Sequence, residues 1–137
     1  MEITFIEDGS PDCPLIQIVN TTEDDIRKLI TVWQNLSEDE NTAIDLGIMC
    51  GIGKHIHLIC KCGKSDIGIR QTSQKYFECI HTRATWSQVQ ELTEPFLKDI
   101  HGWQWLSNSG QISLLWQGHR VIGKIKFLGH HTSLFVN

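Results

Sequence analysis

Residues 22–36 carry a helix signature at every level of reading, and a helix with one apolar face commits the rest of the chain to covering it. Thr22 stands where an N-cap belongs, and Asp25 follows three residues later. Ile26, Leu29, Ile30, Trp33 and Leu36 then recur at i, i+3, i+4, i+7 and i+10. Glu23 can face Arg27 and Asp24 can face Lys28 one turn on, and the Glu-Asp-Asp run complements the helix dipole. Those three acids therefore have a local use.

The cover comes from segments that alternate at period two. Ile3 and Phe5 alternate with polar neighbours, Gly9-Ser10-Pro11-Asp12 turns the chain, and Leu15 to Val19 is rich in β-formers, which predicts an opening hairpin. In the middle, Ile44, Leu46 and Ile48 share one parity; Ile56, Leu58, Cys60 and Cys62, then Ile67 and Ile69, then Phe77, Cys79 and His81 repeat the pattern. A second helix is predicted from about Thr85, with Gln88 as capping-box partner and Val89, Leu92, Phe96 and Ile100 as its buried stripe. Pro95 should kink or divide it, and Gly102 should stop it. The last third reads as a meander over residues 103–106, 111–117, 121–128 and 132–136. The expectation is a single α+β domain over residues 1–137, with a largely antiparallel sheet, two main helices and a C-terminal β-meander.

Composition narrows the class. A chain of 137 residues buries roughly two-thirds of its unfolded surface, enough for one core. No run approaches the ~20 apolar residues of a membrane span, so no membrane partner is expected. Residues 1–8 lack the basic and apolar regions of a secretory signal. Five cysteines cannot all pair within one chain, which suits reduced thiols and a cytoplasmic location.

Charge is divided along the chain. Residues 1–50 hold eleven carboxylates against Arg27 and Lys28, a net of −9, while residues 51–137 hold ten basic and five acidic side chains, a net of +5. Such polarity steers partners of opposite sign. With the helix acids set aside, two groups remain: Glu7, Asp8 and Asp12 in the first hairpin turn, and Glu38, Asp39, Glu40 and Asp45 after the helix. Neither group has a visible intrachain cation in the sequence, and both suit a protein partner with a basic surface. The plain alternative is a solvated, solubilising face.

Chemistry-bearing motifs are few. Gly51-Ile52-Gly53-Lys54 is not a phosphate loop, because its glycine spacing is wrong, His55 follows the lysine, and no helix comes next. In one strand His55 and His57 point away from Cys60 and Cys62, whereas Cys60, Cys62, Cys79 and His81 are a better matched zinc set on two strands. Buried free cysteines are the commoner reading of that pattern, and no metal or cofactor is expected. No motif marks a cysteine nucleophile or a catalytic carboxylate pair, so no hydrolytic activity is expected either. Lys54, Lys61 and Lys64, with His55 and His57 between, offer the alternative of a nucleic-acid or phosphate-binding face.

In element order the chain resembles the small cytoplasmic immunity proteins of bacterial polymorphic-toxin and contact-dependent inhibition systems. The points of likeness are the short opening strands, the Thr22-Glu-Asp-Asp-Ile-Arg-Lys-Leu-Ile helix, Ile44-Asp-Leu-Gly-Ile with Gly51-Ile-Gly, and Trp86 opening a second helix that ends before Gly102-Trp-Gln-Trp. The likeness spans roughly residues 1–106 and leaves out the meander. It implies a protein without enzymatic activity that binds a toxin domain, often a cationic nuclease, and blocks it.

Overall fold

The structure, a computed structural model, describes residues 1–50 and 56–119. Strands β1 (Glu2–Ile6) and β2 (Leu15–Val19) form the expected antiparallel hairpin and lead into helix α1 (Glu23–Glu38). Thr22 caps α1 through a complete capping box with Asp25, and Ile26, Leu29, Val32, Trp33 and Leu36 are its buried face. Next come β3 (Ala43–Asp45), the single helical turn α2 (Leu46–Met49), β4 (His57–Cys62), β5 (Gly68–Ser73) and β6 (Tyr76–His81). Helix α3 (Arg83–Thr93) follows, then a 3₁₀ turn (Glu94–Leu97), β7 (Trp103–Ser107) and β8 (Ser113–Gln117).

The architecture is α+β, with strands shared between two four-stranded sheets, ordered β1-β2-β8-β7 and β3-β4-β6-β5. Each has a parallel pair at its centre, β2 with β8 and β4 with β6, flanked by antiparallel pairs. Parallel pairing needs a long crossover, and for β2 and β8 that crossover contains both long helices and the whole second sheet. A single cluster of buried residues draws on both sheets and both helices. Trp33 of α1 lies flat on Trp86 of α3, ring centroids 5.5 Å apart and 8° from parallel, and Phe5 of the first sheet meets Phe77 of the second at 4.8 Å.

The sheets also touch directly. Ile69 and Ile112 form an antiparallel bridge, and beside it Gly68 has φ +83°. A Cβ on Gly68 would stand 2.5 Å from the Gly110 nitrogen, so two backbones meet where no side chain fits.

Three expectations shift. The strand foreseen through Leu46 and Ile48 stops at Asp45, whose carboxylate accepts from the Gly47 amide and turns the chain into α2. The second helix begins at Arg83, not Thr85, because Thr82 takes the N-cap and accepts from the Thr85 amide. Pro95 divides that helix, sitting in the first turn of the 3₁₀ segment where its missing N–H costs nothing. The Gly51 turn and the two last meander strands lie outside the described residues.

Candidate functional site

The structure sorts the acids of the first fifty residues by what they touch. Glu23 pairs with Arg27, Asp24 with Lys28, and Asp25 with the Met1 ammonium group, so the helix acids are occupied. Asp45, foreseen as a partner-facing acid, bonds His57 Nδ1 at 2.7 Å and caps α2, so it has an internal use that its place in the sequence hid. Glu7, Asp8, Asp12, Glu38, Asp39 and Glu40 are all exposed, and none forms an ion pair among the described residues. Glu7 lines a groove of about 480 Å³ that also holds Arg70.

Three of the described basic residues of the second half, Lys61, Arg70 and Arg83, are used inside the fold. Lys61 and Arg70 both bind Glu78, at 2.7 and 3.1 Å, and Lys61 foremost holds that carboxyl below its usual range. Arg83 donates to the carbonyls of Ser37 and Glu38, where it neutralises the negative end of α1. Lys54 and His55 lie outside the described residues, and Lys64 is exposed.

The four foreseen zinc ligands do stand on neighbouring strands, Cys60 opposite Cys79 and Cys62 opposite His81. Cys62 turns away, its Sγ donating to the Leu36 carbonyl at 2.9 Å, while His81 adjoins Cys79 and bonds Asp66 and Ser107. Among the described residues no three His, Cys, Asp or Glu side chains surround a point able to hold a metal. Cys60 and Cys79 are instead hydrogen-bonded to each other. Burial and then Cys79 push the Cys60 thiol far up, while Cys79, accepting from Cys60 and with His81 and Ser107 beside it, is drawn down to about 6.

His81 heads a polar chain that joins the two sheets. It ends β6, and its Nδ1 lies 3.3 Å from Asp66 Oδ1 in the β4–β5 loop, while its Nε2 lies 2.8 Å from Ser107 Oγ at the end of β7. Asp66 is held in turn by the Thr82 amide at 2.8 Å and the Thr82 hydroxyl at 3.1 Å. Ser107 reaches this position because the ladder between β7 and β8 slips between Trp105 and Ser107, so that Leu106 and Ser107 are both buried although neighbours in a strand normally face opposite ways. Burial alone would lower the His81 pKa, but Cys79 and Asp66 outweigh it and raise it. His81, Ser107 and Asp66 line a cleft of about 450 Å³ with Thr85, Gln88, Leu92, Trp105 and Asn108.

Comparison with known families, curated proteins and solved structures finds no match. The site therefore has to be read from its own chemistry. Neither Asp66 nor Ser107 stands out in the sequence, since one sits in a glycine-flanked loop and the other in what reads as a Ser-Asn-Ser-Gly turn. His81 was visible there only as a partner of Cys79.

Proposed function

We propose that the protein binds and neutralises a partner with a basic surface, as an immunity protein blocks a cationic toxin domain of nuclease type. The observation that carries this reading is the sorting of the acids. Glu7, Asp8, Asp12, Glu38, Asp39 and Glu40 remain exposed and unpaired among the described residues, while the other acids of residues 1–50 named above are bound to cations or caps. Glu38 accepts from Gln34 and Asp39 from the Asn41 amide, but carboxylates that bind no cation of the fold, held on a hairpin turn and a helix end, steer a cationic partner and fix its register. Of the strip Lys54, Lys61 and Lys64 that a nucleic acid would use, Lys61 is bound to Glu78 and Lys64 is exposed.

Reversal of Glu38, Asp39 and Glu40 to Lys tests the reading. Thermal stability should stay close to that of the wild type, because exposed charges contribute little to it. Rescue of cells expressing the toxin encoded beside the gene should fail, and association should slow. Undiminished rescue rejects this surface. Tight oligonucleotide binding by the wild type, falling steeply with salt, replaces the proposal with the nucleic-acid one.

A further inference from the structure

We propose that the cleft between α3 and β7 is an acyl-transfer site, in which Ser107 is the nucleophile, His81 its general base, and Asp66 the residue that positions the imidazole. The proposal is independent of the acidic surface and goes beyond it. Its basis is connectivity: hydroxyl, imidazole and carboxylate are joined in series by the hydrogen bonds such a nucleophile requires, on three separate elements of a rigid frame. An ionised carboxylate can only accept, so in the neutral ring Nδ1 carries the proton and Nε2 accepts from the Ser107 hydroxyl; because Cys79 and Asp66 raise the His81 pKa, this neutral form is reached above that raised value. The 2.8 Å contact is within reach for proton transfer, and the 3.3 Å contact has the looseness common in unliganded sites.

Access selects serine over cysteine. Cys79, His81 and Ser107 are all buried, but Ser107 and His81 line the cleft and Cys79 does not. The lining also limits the substrate. Leu92 and Trp105 give an apolar wall, Gln88 and Asn108 supply amide groups, and Asp66 and His81 are the ionisable side chains among the described lining residues. Among the described lining residues there is no Lys or Arg to neutralise an anion, and the apolar wall fits an uncharged ester with an apolar acyl group.

The chemistry balances without a further reactant. Ser107 Oγ bonds to the acyl carbon as its proton passes to His81 Nε2; the ester C–O bond breaks, and the departing alcohol takes that proton. Water then attacks the acyl-enzyme, gives a proton to Nε2, and the bond to Oγ breaks as the serine recovers it. The products are one carboxylic acid and one alcohol.

An alkyl fluorophosphonate supplies the test, since Ser107 would displace fluoride and keep the phosphonyl group. Peptide mass mapping of the treated wild type should place one adduct on Ser107, and p-nitrophenyl butyrate should be hydrolysed with turnover. Ser107→Ala should lose both while keeping its thermal midpoint within a few degrees. His81→Gln should slow labelling by at least ~100-fold, the usual contribution of a placed base. If that variant does not fold, Asp66→Asn takes its place, because its side chain is 40% exposed and tolerates the change. An unmodified Ser107 in folded wild type overturns the proposal. So does labelling at wild-type rate in a folded His81 or Asp66 variant.

Discussion

Trp33 shows how much of the fold rests on one side chain. It is completely buried at the middle of α1, flat against Trp86, and its indole N–H meets no acceptor among the described residues. Truncation removes a large apolar volume and the stacking together, and Trp33→Ala should cost about 3–5 kcal/mol. A urea midpoint lowered at constant slope is the expected result; an unchanged midpoint contradicts this packing. At this scale the sequence is an uneven guide. Trp33 was legible because its neighbours at i−4, i−3 and i+3 place it inside the stripe. The Asp45 bond to His57 was not, since it forms only when β3 ends and β4 returns beside it. Ser107 was invisible for a related reason: its burial comes from a slipped ladder, and no residue near it encodes that slip.

Among the elements, α1 is the best specified. Its capping box satisfies two end amides, with Asp25 Oδ2 at 2.9 Å from the Thr22 nitrogen and Thr22 Oγ1 at 3.1 Å from the Asp25 nitrogen. Thr22→Ala should therefore lower stability by about 1 kcal/mol, read as a shifted denaturation midpoint, with Thr22→Ser restoring most of it. Strand existence was legible for every strand in the described residues, because parity and glycine punctuation are local. Pairing was not local. Nothing in alternation says that β4 lies parallel to β6 with β5 outside it; the pairing is largely antiparallel as expected, but it is divided between two sheets, each with one parallel pair at its centre. The three-residue shift at α3 is local competition: Thr82 and Thr85 are both able to cap, and Asp66 secures Thr82 from another loop.

For the molecule as a whole, acid should be the sensitive side of the pH range. Asp25, Asp66 and Glu78 all have depressed pKa values in the fold, against ordinary values of 3.8, 3.8 and 4.5. Burial is the largest influence on the two aspartates and works against them, but it is outweighed jointly by the Thr22 amide, the Met1 ammonium and the Thr22 hydroxyl for Asp25, and by the Thr82 amide, the Thr85 and Thr82 hydroxyls and His81 for Asp66; for Glu78 the leading cause is Lys61. A depressed folded value stabilises above the unfolded pKa and loses that support as pH falls through the folded one. The urea midpoint should hold near neutrality and drop once pH passes below about 4.5, the ordinary Glu78 value. Retention of the midpoint down to pH 2 would mean these contacts contribute nothing. The placement of β8 carries a different message, about time. Gln17 on β2 and Gln117 on β8 are bonded side by side although one hundred residues separate them. A ribosome therefore delivers the opening hairpin long before the strand that closes over its inner edge, leaving Ile16 and Ile18 beside an unpaired ladder through most of synthesis. So distant a closure makes for slow folding, with a strand edge left open in the meantime.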